Sequence, residues 1–313
     1  DESGSTIVKA KYEVLYTASV LRAAAGEVRR LYADTLPNEK PHRLSMVIRE
    51  PVGVVLTISP FNAPLVLLAK MLVFPLAAGN AVIAKPSEET PLIAVELAKV
   101  MHEAGLPDGV LNVVTGFGPE CGEPLAKHPD VNGIALTGST GTGIKIGQIA
   151  AQTMKRVQLE LGGKNPLLVL NDFDVTKAAE IAAVGAFTHG GQICMSSARI
   201  LVEAPNGHAF AEALAKKAAS LQLGDLRDEK TAYGPLINQR AVDKVISHVQ
   251  AAKDPQGKRG GGEILTGGAV HQGLVFQPTV IWNPPQTGPS WCEETFGPVA
   301  SVTEVESFDE MIA

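Results

Sequence analysis

Short apolar runs separated by helical stretches recur along most of this chain, and that alternation predicts its elements. Residues 7–31 carry helical periodicity. A Pro37-Asn38-Glu39-Lys40-Pro41 breaker follows, and residues 43–49 then alternate enough to predict an exposed strand suited to a subunit contact. From Val52 the rhythm changes. Apolar runs at 52–58, 81–84, 110–114, 133–136 and 157–161 are spaced by helical segments, which implies a mainly parallel sheet with both faces covered. The rhythm resumes after Gly163, where 167–170 and 200–202 read as strands and 175–187 and 208–221 as helices. A second α/β unit therefore begins near residue 162. The glycine-rich run 258–262 and the Gly267-Gly268 pair mark surface turns rather than a linker of domain length. The most apolar stretch, 52–84, is punctuated by Pro60, Asn62, Pro64, Lys70, Pro75 and Asn80. It reads as buried strand, loop, helix and strand, not as a membrane span.

Composition narrows the function classes. With 313 residues, 45% hydrophobic and 19% charged, the chain has enough apolar surface for two cores of ordinary size. Its 27 basic against 33 acidic side chains give a net charge of −6, with no basic face to neutralise phosphates along a duplex. Nucleic acid is not expected as a partner on that ground. Cys121, Cys194 and Cys292 are an odd number at spacings that fit neither a disulfide framework nor a zinc site, so no metal is expected and a reducing, cytoplasmic compartment is. The opening Asp1-Glu2-Ser3-Gly4 runs into a mixed-charge helical pattern without the features of a signal peptide, so neither export nor a membrane is expected.

Two motifs carry candidate chemistry. Cys194 stands in Gly191-Gln192-Ile193-Cys194-Met195-Ser196, and Glu160 in Leu159-Glu160-Leu161-Gly162-Gly163-Lys164-Asn165-Pro166. A thiol in a small-residue turn and a carboxylate at a strand end suggest a nucleophile with a water-activating base, hence covalent catalysis on a carbonyl. Flanking Leu159 and Leu161 predict a partly apolar site that raises the pKa of Glu160. Asn62 lies between Pro60 and Pro64 in a stiffened loop, and its amide reads either as a fixed donor to an oxyanion or as an Asx turn closing the strand. Gly138-Ser139-Thr140-Gly141-Thr142-Gly143 follows a predicted strand and opens a helix, where backbone N–H groups and the helix dipole suit a pyrophosphate. Its glycines do not match G-x-G-x-x-G, and a tight strand-to-helix turn would look the same. His189, near the thiol, is expected to be structural or at the surface, and Cys121 and Cys292 to be small hydrophobes.

From about Ile48 to Val299 these motifs, in this order, resemble the aldehyde dehydrogenase superfamily. The resemblance rests on Pro51-Val52-Gly53-Val54 leading into Ser59-Pro60-Phe61-Asn62-Ala63-Pro64-Leu65, on Gly79-Asn80-Ala81-Val82-Ile83-Ala84-Lys85-Pro86-Ser87-Glu88, and on Leu136-Thr137-Gly138-Ser139-Thr140. The Glu160 and Cys194 motifs and Glu293-Glu294-Thr295-Phe296-Gly297-Pro298 complete it. It implies an α/β fold of two Rossmann-like parallel-sheet domains with part of an oligomerisation β-hairpin, in a chain truncated at both ends. The domains expected are a helical part of the cofactor domain at 1–36, an oligomerisation strand or hairpin at 37–50, an NAD-binding domain at 51–161 and a catalytic domain at 162–313, incomplete at its C-terminus.

The family likeness further implies Cys194 as nucleophile, Glu160 as base and Asn62, with the Cys194 N–H, as oxyanion donors. Ser196 departs from the residues the family more often has there, which bears on pocket shape. Lys85, Ser87, Glu88, Gly138, Ser139 and Gly143 would contact the cofactor, Glu294 would hold the nicotinamide ribose, and Phe296 would pack near its ring. Lys85 and Glu88 are expected at a topological switch, with the adenosine ribose between them. A carboxylate at Glu88 repels a 2′-phosphate, which favours NAD, with NADP as the second choice. Phe61, Leu65, Leu68, Met71, Ile193 and Met195 would line an aldehyde funnel suited to an aromatic or medium-length aliphatic substrate. A homodimer or homotetramer is implied for the full-length form. The alternatives are a coenzyme A-acylating relative, which generally lacks a carboxylate at the Glu160 position, and an inert fragment or binding paralogue.

Overall fold

The computed structural model describes residues 1–253 and 261–312, so residues 258–260 of the expected glycine-rich turn lie outside the described residues. The chain divides into two compact units, one comprising Glu2 and Lys11–Leu161, the other Asp1, Ser3–Ala10 and Gly162–Ala313. Helix α1 (Ile7–Glu27) contributes residues to both and ends in a short 3₁₀ turn, Val28–Arg30.

In the unit ending at Leu161, a two-stranded antiparallel ribbon, β1 (Asp34–Leu36) with β2 (Ser45–Val47), precedes the main sheet. The expected strand at 43–49 is thus shorter, and its partner β1 lies in the segment read as helical. All three β1 side chains are exposed, so no alternation advertises it. Next come β3 (Val54–Ile58), α2 (Pro64–Ala77), β4 (Ala81–Lys85), α3 (Pro91–Glu103), β5 (Leu111–Val113), α4 (Glu123–Lys127), β6 (Val131–Thr137), α5 (Thr140–Ala151) and β7 (Arg156–Glu160). The strands are all parallel, in the order β5-β4-β3-β6-β7. Alternate β3 side chains serve opposite faces. Val55 packs with Leu68, Leu72, Val82 and Leu97 under α2 and α3, and Leu56 with Ile134, Leu136, Ile146 and Ile149 under α5.

Two of these helices are capped by distant carboxylates. Ala63 precedes α2 and supplies no capping side chain, but buried Glu13 on α1 accepts from the N–H groups of Leu65 (2.8 Å) and Val66 (3.1 Å). Glu2 does the same for Leu92 and Ile93 at the start of α3.

The other unit runs β8 (Asn165–Val169), α6 (Val175–Phe187), β9 (Ser197–Glu203), α7 (Gly207–Ala219), α8 (Gln239–Ala252), β10 (Glu263–Thr266), β11 (Val270–Gln272), β12 (Val275–Phe276), β13 (Thr279–Trp282), α9 (Pro289–Cys292), β14 (Val299–Val305) and α10 (Phe308–Ile312). Its sheet order is β10-β13-β14-β9-β8, parallel except for β10. Helices α6 and α7 cover one face through Ala182, Phe187, Phe210 and Leu214. Val242, Val245 and Val249 of α8 pack with Ile281 and Val299. Asp174 caps α6 and Asn238 caps α8.

Candidate functional site

In the Lys11–Leu161 unit the expected site residues gather at the carboxyl ends of parallel strands. Loops there meet helix N-termini, and ligands of open α/β sheets bind beside the topological switch. The chain leaves β3 through α2 toward β4 and β5 and returns on the far side at β6, so the switch lies between β3 and β6. Lys85 and Glu88 follow β4, one strand away from it.

Asn62, in the loop after β3, is 5% exposed and directly precedes the helix that Glu13 caps. Lys85 is 3% exposed, donates to the Pro86 carbonyl at 2.9 Å and stands 3.7 Å from Glu88. The structure therefore joins Lys85 and Glu88 directly. Ser87 Oγ accepts from the Glu89 N–H. Ser139 is the N-cap of α5, its hydroxyl accepting from the Thr142 N–H at 3.3 Å. The Gly138 N–H donates to the Glu160 carbonyl at 3.0 Å, which ties the glycine turn to the end of β7. A Cβ at Gly143 would collide with Leu161, so this glycine permits α5 to pack against the chain that follows β7, whereas one at Gly141 would meet nothing within 4 Å. Glu160 itself is exposed, with Leu159 and Leu161 half-buried beside it, in place of the apolar surroundings expected from sequence.

In the unit beginning at Gly162 the expected residues lie at the amino ends of the parallel strands, just before β8, β9 and β14. Cys194 is an exposed free thiol on a turn before β9. Asn165 Nδ2 donates to the Cys194 carbonyl at 2.5 Å, and the Ser196 hydroxyl donates to Gly191 at 3.3 Å. Gln192, wholly buried, accepts from the Ile237 N–H at 2.9 Å and donates to His189 at 3.2 Å. His189 is buried, with Gly190 and Gly191 beside it at positive φ. A Cβ at Gly191 would overlap the Gly297 carbonyl, so the Cys194 turn and the Glu294–Phe296 loop touch backbone to backbone. Glu294 Oε1 accepts from the Gly163 N–H at 3.3 Å, and Phe296 holds a φ of 55°.

Lys164, Thr295 and His248 meet behind that loop. Burial, with Arg199 and Lys244 adding, pushes Lys164 down to about 8. Burial, then Lys244 and Lys164, pushes His248 down to about 4, against an opposing pull from Glu293.

A sequence model of the aldehyde dehydrogenase family matches residues 1–313. The chain belongs to the aldehyde dehydrogenase family. It is 38% identical over 312 residues to a glutarate-semialdehyde dehydrogenase of Pseudomonas putida, covering 100% of this chain and 64% of that protein. It is 40% identical over 310 residues to a vanillin dehydrogenase of Amycolatopsis, covering 99% and 62%. Among solved structures, an NAD-dependent aldehyde dehydrogenase from Sinorhizobium meliloti superposes with a TM-score of 0.94 at 39% identity, covering 99% of this chain and 61% of that one. An Escherichia coli NADP-dependent enzyme gives the same TM-score at 36% identity, covering 99% and 64%.

Parts of this aldehyde dehydrogenase family chain differ from expectation. Leu68, expected in a substrate funnel, is 1% exposed and part of the core beneath α2, whereas Met195 is 77% exposed. Met71 is buried but lines a cavity of about 730 Å³ with Lys70, Tyr16 and Arg156. The Lys70 ammonium lies 4.9 Å from the Tyr16 ring centroid, which shows where its charge points. Sequence reasoning missed Asn165, Glu13, Thr295 and His248. Asn165 and Thr295 stand within the Glu160 and Glu294 motifs, but no local pattern announces contacts made across the fold. No group of three or more potential metal ligands occurs among the described residues, and no described helix is long and apolar enough to cross a membrane.

Proposed function

We propose that the protein oxidises an aldehyde to a carboxylic acid with NAD as electron acceptor, through a thioester on Cys194. The observation that carries this reading is the exposed Cys194 thiol on a turn pinned by Asn165, in a family whose named relatives are aldehyde dehydrogenases. The thiolate adds to the aldehyde carbon, and the Asn62 amide and Cys194 N–H donate to the oxyanion that forms. Collapse of the oxyanion expels hydride and leaves an acyl thioester. Glu160 then takes a proton from water, whose oxygen adds to the acyl carbon as the thiolate departs. The exposure of Glu160 supports water access. Its presence supports hydrolysis over transfer to coenzyme A.

When bound, NAD supplies the hydride acceptor. The residues fit such a group: the first turn of α5 is open at Gly141, follows a strand beside the switch point and offers a helix N-terminus to a pyrophosphate. Lys85, Ser87, Glu88, Gly138 and Ser139 would hold its adenosine side, Gly143 permits the helix packing, and Glu294 and Phe296 would serve the nicotinamide side. The exposed Glu88 carboxylate supports NAD over NADP. Phe61, Leu65, Ile193 and Met195 support an aromatic or medium-length aliphatic aldehyde. The exposed apolar side chains of Leu36, Leu44, Met46, Val47 and Ile48 on and beside the β1–β2 ribbon support association of identical copies there. Free thiols at all three cysteines suit the cytoplasm.

The test is NADH absorbance with benzaldehyde, an aliphatic aldehyde and succinate semialdehyde, each with NAD or NADP, with and without coenzyme A. NADH and free acid formed without coenzyme A are expected. No reduced cofactor with any aldehyde, or an absolute need for coenzyme A, overturns the reading.

A further inference from the structure

The loop that carries Glu294 and Phe296 is held from behind by a polar array buried among α8, α9 and the turn before β8. Thr295 is 3% exposed and His248 4% exposed. Lys164 Nζ lies 3.1 Å from Thr295 Oγ1, and His248 Nδ1 lies 3.1 Å from that same oxygen. Hydrogen-bond chemistry sets the direction of this array. An ammonium can only donate, so the Thr295 hydroxyl accepts from Lys164, and its own hydrogen is free to donate to His248 Nδ1. With that hydrogen directed at Nδ1, the ring nitrogen accepts and the imidazole proton sits on Nε2, 3.8 Å from Glu293 Oε2. Burial keeps His248 neutral near pH 7, so one of its two ring nitrogens is an acceptor. Arg199 fixes the Lys164 end by donating from Nε to the Lys164 carbonyl at 3.0 Å. Gly163, next to Lys164, donates to Glu294, and a Cβ at Gly162 would overlap the Glu294 carboxylate.

We propose that Lys164, Thr295 and His248 form a directed hydrogen-bond relay that holds the Glu294 carboxylate in place, which makes Thr295 and Lys164 positioning residues for the cofactor. This rests on the reading above that Glu294 holds the nicotinamide ribose. Thr295 is the hub, since it alone bonds both partners and sits between Glu294 and Phe296 in sequence. Replacing its hydroxyl with a methyl of the same shape leaves two buried polar partners facing carbon, while serine keeps the relay.

The experiment compares the parent protein with Thr295→Val, Thr295→Ser and Glu294→Gln by NAD kinetics, together with ¹⁵N imidazole shifts of His248. Loss of one such bond corresponds to about 2- to 10-fold, so Thr295→Val should raise KM for NAD by that factor, more than it lowers kcat. Thr295→Ser should restore it, and His248 should be the Nε2–H tautomer in the parent and a mixture in Thr295→Val. An unmoved KM in Thr295→Val beside a raised one in Glu294→Gln overturns the proposal. Failure of the functional reading looks different, because the parent then makes no NADH. In that case an Nδ1–H imidazole in the parent overturns the relay, and an Nε2–H imidazole lost in Thr295→Val upholds it.

Discussion

A thiol acts as a nucleophile when it is accessible and its backbone is held still, and for the proposed nucleophile Cys194 the second condition comes from Asn165, which reaches across from the start of β8. Cys194→Ala should abolish NADH formation while NAD binding, followed by fluorescence titration, is retained; loss of neither would count against the nucleophile. Glu160→Gln should leave the first turnover intact and stall the second, so rapid mixing should show a burst of NADH at roughly enzyme concentration followed by a rate about 100-fold lower. The motifs around these residues were legible because glycine, proline and a lone thiol punctuate the sequence. Their support was not. Asn165 bonds a residue at 194, and Thr295 meets side chains at 164 and 248, over separations that no local pattern encodes.

Among the elements, the parallel strands from β3 to β9 were readable because most are short apolar runs separated by helices, although β7 is largely exposed and passes to β8 without a helix between them. Strands β10, β13 and β14 were not assigned from the pattern. β14 is buried along nearly its whole length despite Ser301, Thr303 and Glu304 in its sequence, since β9 and β13 flank it on either side. Glu13 shows the same limit at a helix start. Ala63 precedes α2 where serine or aspartate would announce a cap, and the carboxylate comes instead from α1. Glu13→Ala should destabilise the protein by about 1–2 kcal/mol in urea unfolding, and Glu13→Gln, which keeps an acceptor, by less. Because Asn62 sits just ahead of that helix, Glu13→Ala should also lower kcat. An unchanged kcat would separate the cap from the proposed oxyanion donor.

For the whole molecule, His248 ties stability to acidity. Its folded pKa of about 4 lies below the ordinary value of 6.5. Between those values the unfolded chain binds more protons than the folded one, so stability falls as pH drops through the window and is fully present above it. The displacement corresponds to at most about 3 kcal/mol. The difference in unfolding free energy between pH 7 and pH 4.5 should therefore shrink in His248→Gln, and an unaltered difference would show that carboxylates alone set the acid limit.

The backbone contact between Gly191 and Gly297 also limits which positions beside Cys194 can be varied in a search for altered substrate preference under the proposed function. No side chain fits at position 191, so libraries that randomise it will mostly return misfolded clones. Useful diversity belongs at Met195, whose side chain already projects into solvent and can be exchanged without disturbing its neighbours.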